Sequence, residues 1–331
     1  MEQPDQLIFD TSRSFRQRAL EVYEYQINHV KPYRMFVESL YGSGYKPEQL
    51  SEIPLVPVEL FRETRVISDE FDEESLHFQS SGTSSMQRSN HYVARAEVYK
   101  KAINVGFEQV FGTTRPIILA YTPGYNENPR SSLIYMLNFL IQNDETRKST
   151  FLDVQNPPDT PKLDELAATN GRPLLLFGAA FGLLDWIEKK DIRLPENAFI
   201  METGGMKTHR REMTKSQLRT QLANGFGIPP EHIFSEYGMT EMLSQAYSMG
   251  DEWFYPSSTL KVAIRDENDP DKEVPPGEQG LIGIYDLANV HSCSFFYTRD
   301  LGFSRSDGAF KVLGRSQQSA LRGCNFLLEE D

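Results

Sequence analysis

Between residues 117 and 205 short, unbroken apolar runs alternate with longer stretches of helical spacing. Ile117 to Tyr121 (IILAY) precedes a helical pattern over Ser132 to Ile141, and Leu174 to Phe177 (LLLF) precedes one over Gly182 to Lys189. Asn197 to Met201 (NAFIM) then runs into the glycine pair Gly204 and Gly205. Runs of four or five apolar residues are too short for helices and fit strands, while the intervening segments have the length and period of helices. The alternation predicts an α/β fold in which a mixed sheet is flanked by helices.

The flanks have a different texture. From Phe15 the apolar positions Ala19, Val22, Tyr23, Ile27 and Val30 fall at helical spacing until Pro32 interrupts them, giving a helical N-terminal cap. Tyr41 to Tyr45 (YGSGY) punctuates the chain, and Ile53 to Phe61 (IPLVPVELF) is expected to run extended beside the core, because its prolines disfavour helix before them. After Tyr255 come Leu260 to Arg265 (LKVAIR), a turn-rich segment from Asn268 to Gly280, and Leu281 to Tyr285 (LIGIY). This predicts a β-rich subdomain over about 256–314. No internal repeat or long linker divides the chain, so one compact unit is expected from its 331 residues.

Charge and composition narrow the function. The formal net charge is −13 and no Lys/Arg block is present, which argues against a nucleic-acid backbone or an anionic membrane as partner. A nucleotide stays open, since aligned backbone N–H groups and one or two arginines make a local anion site whatever the global sign. No basic-then-apolar leader begins the sequence and no apolar run nears the ~20 residues that span a bilayer, so no membrane span and a cytoplasmic location are expected. Two cysteines, Cys293 and Cys324, form neither a disulfide framework nor a zinc spacing. The six histidines show no metal pattern; His91 and His209 lie near candidate site segments, where each reads more readily as a structural residue than as a base.

Three segments have residue types suited to a nucleotide triphosphate. Gln79 to Ser89 (QSSGTSSMQRS) joins small hydroxyls to a permissive glycine, so that backbone N–H groups can approach phosphate oxygens; the same composition describes a solvated surface loop. Ser235 to Glu241 (SEYGMTE) sets an aromatic ring able to stack on a purine beside the Thr240 hydroxyl and the Glu241 carboxylate, a group able to hold Mg²⁺; it equally describes a tight turn at Gly238. Phe296 to Asp300 (FYTRD) offers a carboxylate that can accept two ribose hydroxyls, though taken alone it reads as an ordinary turn aspartate, and Leu313 to Arg315 (LGR) follows with an arginine for a phosphate or a surface ion pair.

In this order the pieces resemble the adenylate-forming superfamily of acyl-CoA synthetases, peptide-synthetase adenylation domains and firefly-type luciferases. The resemblance assigns Ser80, Ser81, Gly82, Thr83 and Ser84 to the phosphate loop, Gly204 and Gly205 to the surroundings of the adenine, Tyr237 and Gly238 to the YGxTE motif with Thr240 and Glu241, Asp300 to the ribose, and Arg315 to the GR hinge. Within the superfamily the chain looks most like the LuxE-type acyl-protein synthetases. That likeness runs through IPLVPVELF, RSSLIYM (Arg130 to Met136), METGGMKTHRREM (Met201 to Met213) and RGCNF (Arg322 to Phe326). The chain departs from the superfamily in lacking the usual Lys and second Gly of the phosphate loop. It also stops shortly after the hinge, without the C-terminal domain whose lysine assists adenylation, a truncation that LuxE-type proteins share.

The resemblance implies the fold of the large N-terminal domain of adenylate-forming enzymes over 1–314, with a short remnant at 315–331 carrying the candidate acyl acceptor. It implies ATP-dependent activation of a carboxylic, and by family a fatty, acid as an acyl-adenylate, with Mg²⁺ on Glu241. Tyr237 would pack on adenine; Lys207 and Arg210, after the glycine pair, when read as residues either contact phosphate or carboxylate or form a solvated charge cluster. The acyl group would pass to the thiol of Cys324 and onward to an acyl reductase, acyltransferase or carrier protein. Read as residues alone, Cys324 is more readily a small buried apolar residue of a last strand. Two other functions stay open: a ligase that delivers the acyl group directly to coenzyme A or a carrier protein, and a catalytically decayed nucleotide-binding or scaffold subunit.

Overall fold

A computed structural model describes residues 4–80, 88–124, 128–167, 171–204 and 213–316. The chain opens with helices α1 (Pro4–Leu7), α2 (Phe15–His29) and α3 (Lys31–Tyr41). Ser14 caps α2 in a reciprocal capping box with Gln17. Pro32 does not break one long helix; it sits at the start of α3, where its missing N–H is no loss. The IPLVPVELF segment is extended only in part. β1 (Val56–Pro57) is paired, and the chain then turns helical as α4 (Leu60–Glu63), which buries Leu60 and Phe61.

Next come β2 (Leu76–Gln79) and β3 (Asn90–Val93), an antiparallel pair, followed by α5 (Ala96–Phe111) and β4 (Ile117–Tyr121). They are followed by α6 (Ser132–Gln142), β5 (Thr150–Phe151), α7 (Thr160–Ala167), β6 (Leu174–Ala179), α8 (Ala180–Lys189), β7 (Phe199–Thr203), α9 (Lys215–Phe226) and β8 (Ile233–Tyr237). β9 (Ala246–Met249) and β10 (Tyr255–Pro256) complete a seven-stranded sheet of order β10-β9-β8-β7-β6-β4-β5, in which β5, β4, β6, β7 and β8 are parallel. The unbroken apolar runs now have a cause: Ile117, Leu119, Leu174, Leu176, Ile200 and Ile233 point into one core beneath α7, α8 and α9. Their neighbours Ile118, Ala120, Leu175, Phe177, Met201 and Phe234 point into the other, with α5 and α6.

The last strands, β11 (Leu260–Arg265), β12 (Gly280–Asp286), β13 (Phe295–Ser304) and β14 (Phe310–Arg315), form a second sheet with β1, which lies parallel to β13. That sheet therefore draws a strand from far upstream of residue 256. Phe254 and Phe310 exchange main-chain hydrogen bonds of 2.8 and 3.0 Å, joining the second sheet to the edge of the first.

Gln26 of α2 pins the turn between β12 and β13. Its Nε2 donates to the carbonyls of Asn289 and Val290 at 2.9 and 3.0 Å and to the Ser294 hydroxyl at 3.1 Å, and its Oε1 accepts from Ser294 N at 3.2 Å. All four bonds are buried, so no water replaces a lost partner. Gln26→Leu is expected to lower stability by about 2–4 kcal/mol in urea unfolding, because it leaves several buried polar groups unmet.

Candidate active site

Two glycine-ended strands lie side by side at the carboxyl edge of the parallel sheet, where open α/β sheets bind ligands. β7 and β8 run in register, with Glu202 opposite Ser235 and Thr203 opposite Glu236. Gly204 follows β7 with φ +81°, left-handed backbone that turns the chain out of the sheet. Gly238 follows β8, and a Cβ there would collide with the Glu236 carboxyl. A side chain in place of this glycine of YGMTE would have to displace the carboxyl group two residues before it.

Tyr237 joins the two sheets. Its hydroxyl donates to Asp300 Oδ2 at 2.9 Å, and Arg315, directly opposite Asp300 in the β13–β14 register, places Nε 3.2 Å from Oδ1. Asp300 N is held by the Thr298 hydroxyl at 3.0 Å. Both carboxylate oxygens are engaged, one by a buried phenol and one by a guanidinium that is 81% exposed and free to move away. Tyr237 is 8% exposed and packs against Phe254 and Phe310, with ring centroids 5.8 and 5.4 Å away. The sequence motif led us to expect a ring open to a purine; the fold surrounds that ring and uses its hydroxyl. Burial and the Asp300 charge together raise the phenol's pKa well above the ordinary value, so it donates throughout the physiological range.

The root of the loop at 80–89 lies against the same motif. Ser80 N donates to Ser89 O at 3.1 Å and Ser89 N to Ser80 Oγ at 3.0 Å, closing the hairpin, while Gln79 N donates to Arg130 O at 2.9 Å. The Ser89 hydroxyl lies near the Glu241 carboxylate and favours its charged form. Glu241 is 7% exposed, and burial raises its pKa, opposed by Ser89 and Arg315. Thr240 is half-buried beside it. Of the expected site residues, Ser80, Gly204, Tyr237, Gly238, Thr240, Glu241, Asp300 and Arg315 are described: Ser80 and Glu241 both meet Ser89, and Tyr237 and Arg315 meet on Asp300. Ser81, Gly82, Thr83, Ser84, Gly205, Lys207, Arg210 and Cys324 lie outside the described residues. Cys293 is fully buried, and burial pushes its thiol up to about 12.

No three His, Cys, Asp or Glu side chains converge on one point among the described residues. Magnesium does not need such a cage, because it is commonly held by one or two carboxylates with the substrate's own phosphates. Glu241 fits that use: a buried carboxylate with a raised pKa gains most from a cation at its oxygens.

A buried acidic pair at the strand ends was not singled out in the sequence. Glu202 is 1% exposed and Glu236 7%; Thr203 donates its hydroxyl to Glu236, Ser235 donates to Glu202, and Lys215 at the start of α9 pairs with Glu202. The available signal was a carboxylate closing each of two apolar strands, NAFIMET and IFSEY. Burial, reinforced by the Glu202 charge, pushes Glu236 up to about 7 from an ordinary 4.5. As pH rises from about 4.5 towards 7 the unfolded chain ionises this group while the folded chain resists, so the wild type loses stability over that window. Glu236→Gln is expected to remove this loss, gaining roughly 2–4 kcal/mol on the wild type above pH 7 and little near pH 4, in urea unfolding at each pH.

The fold is that of adenylate-forming enzymes, as solved structures show. A 2-hydroxyisobutyryl-CoA ligase in the postadenylation state, in complex with R3-HIB-AMP, matches with a TM-score of 0.64 at 14% identity, over 90% of this chain and 66% of that one. ATP-bound MatB from Rhodopseudomonas palustris matches with a TM-score of 0.50 at 14% identity, over 75% of this chain and 50% of that one. The chain thus spans between half and two-thirds of these structures. In sequence it is 22% identical over 328 residues to the long-chain-fatty-acid–luciferin-component ligase of Vibrio harveyi, covering 91% of this chain and 84% of that protein. The model of the family described as acyl-protein synthetase, LuxE, matches residues 9–331. By that match over nearly its whole length, the chain belongs to the LuxE family of acyl-protein synthetases.

Proposed function

We propose that this cleft activates a fatty acid as its acyl-adenylate with ATP and Mg²⁺, and that the thiol of Cys324 then takes the acyl group. Family membership supports the ligase class, and the name of the Vibrio harveyi relative supports a long-chain acid as substrate. The observation that carries the reading is the meeting of Tyr237, Asp300 and Arg315 on one side of the YGMTE turn with Glu241 and the root of the 80–89 loop on the other. A ribose carboxylate and a phosphate-side carboxylate then flank one motif, as a single extended nucleotide requires.

A substrate carboxylate oxygen attacks the α-phosphorus of ATP; a P–O bond forms, the bond to the bridging oxygen breaks, and pyrophosphate leaves. Free carboxylate is a poor acyl donor because oxide would have to depart, and the mixed anhydride supplies AMP instead. Asp300, oriented by Tyr237, accepts the ribose hydroxyls once Arg315 moves to solvent. Ser81, Gly82, Thr83 and Ser84 line the phosphates with Ser80 at the loop root, Gly204 and Gly205 border the adenine, and Lys207 and Arg210 balance the anions. Glu241 would hold Mg²⁺, which when bound would supply positive charge against the phosphate oxygens. The Cys324 sulfur, losing its proton, then attacks the acyl carbon, forming a thioester as AMP leaves.

In this reading residues 1–314 form the adenylating core and 315–331 the acyl-carrying end, with an acyl reductase, acyltransferase or carrier protein receiving the product in the cytoplasm. No described helix is long and apolar enough to cross a membrane.

Incubation with ATP, Mg²⁺ and a panel of straight-chain fatty acids is expected to add one acyl mass to the intact chain. Cys324→Ser should abolish that mass while leaving acid-dependent ATP–pyrophosphate exchange within about twofold. An adduct retained in the variant would overturn the assignment to Cys324, and undiminished delivery to added coenzyme A by the variant would favour direct transfer. Tyr237→Phe removes one donor to Asp300 and is expected to raise the KM for ATP about tenfold, whereas Glu241→Gln should slow exchange on the order of a hundredfold.

A further inference from the structure

The peptide groups of the segment carrying Thr240 and Glu241 are held from beneath by side chains that expose nothing to solvent. His91, Asp286 and Asn289 are each 0% exposed. His91 Nδ1 lies 2.8 Å from the Thr240 carbonyl oxygen, and because a carbonyl only accepts, Nδ1 carries the hydrogen. Asn289 Nδ2 donates to the Glu241 carbonyl at 2.8 Å. Asp286 accepts from the N–H groups of Leu243 and Ser244 at 2.7 and 3.0 Å and from the Ser244 hydroxyl at 2.6 Å. Buried polar side chains are costly to hold. These three direct hydrogen bonds to the main chain of one short segment, although His91 Nε2 and Asn289 Oδ1 have no hydrogen-bond partner among the described residues.

His91 is distinguished by where it comes from. Strand period places Ser89 and His91 on the same side of the chain returning from the 80–89 loop. Ser89 reaches the Glu241 carboxylate and His91 the preceding carbonyl, so two side chains two residues apart grip the motif from the loop side. The imidazole is steadied edge-on by Phe61, with centroids 5.4 Å apart, and lies beside the Asn289 amide. The space next to it, bounded by His91, Leu243, Asn289 and His291, is about 10 Å³, room for a single water and no substrate. Burial pushes the ring down to about 4, so it stays neutral at working pH. Access and charge both argue against a general base.

We propose that His91 and Asn289 are a coupled pair of positioning residues that fix the Thr240 and Glu241 peptide groups, and that His91 ties the Ser80–Ser89 root to the position of the Glu241 carboxylate. This rests on the adenylation reading of Thr240 and Glu241. The pair acts through the motif: its loss leaves ATP able to bind but the Glu241 carboxylate misplaced when charge develops on the phosphates.

The test is acid-dependent ATP–pyrophosphate exchange on the full chain with the fatty acid panel, with thermal midpoints measured alongside. His91→Leu is expected to lower kcat about tenfold while the KM for ATP stays within about twofold. His91→Asn, whose amide nitrogen can take the place of Nδ1, should keep about half the wild-type kcat or more. Asn289→Leu should match the leucine variant at position 91, and the double variant should lose about tenfold rather than about a hundredfold, because the two side chains serve one segment. Wild-type kcat in His91→Leu, an asparagine variant as slow as the leucine one, or multiplicative losses in the double variant would each overturn the proposal. Where His91→Leu does not fold, His91→Asn and Asn289→Leu carry the same comparison. A wild-type chain without exchange on any acid overturns the adenylation reading and this one with it; a wild-type chain that exchanges beside an equally active His91→Leu overturns the positioning role alone.

Discussion

The hydrogen bond from Tyr237 to Asp300 is the constraint on which the rest of the site depends. It spans 2.9 Å between the end of β8 in the seven-stranded sheet and β13 in the five-stranded one. It fixes the carboxylate that Arg315 faces against the strand that leads into the Glu241 turn, while Asp286 and Asn289 hold the turn's far end from the same second sheet's side. Burial strengthens the bond by removing competing water, and the flanking Phe254 and Phe310 supply that burial while bridging the same two sheets through their main chains.

Around this bond the protein accepts an unusual density of buried polar groups. Glu202, Glu236, Glu241, Asp286, His91 and Asn289 all lie below a tenth exposure within or beside two strand ends and one turn. An apolar core would hold these strands more cheaply. The arrangement makes sense if backbone geometry at residues 238–244 matters more than stability there, since hydrogen bonds fix direction and apolar contacts do not.

Some of the site was legible in one dimension. YGMTE and the hydroxyl-rich loop are short contiguous segments whose residue types suit a triphosphate, but only their order with the other motifs set them apart from a tight turn and a solvated loop. Asp300 and Arg315 needed the resemblance, because an aspartate and an arginine 15 residues apart carry no joint signal until β13 and β14 pair in register. His91 and Asn289 were less legible still: they lie 149 and 48 residues from the carbonyls they hold, and no local pattern distinguishes them from ordinary buried polar residues.

The sequence by itself determined the α/β class, through apolar runs too short for helices, and the family, through motifs whose order survives at low identity. It could not decide that IPLVPVELF turns helical after two paired residues, that β1 belongs with strands more than 200 residues later, or that the Tyr237 ring is enclosed and its hydroxyl employed. Periodicity and propensity are properties of neighbours along the chain, whereas pairing register, enclosure and the sharing of one carboxylate by two sheets are decided by which distant surfaces exclude water from one another.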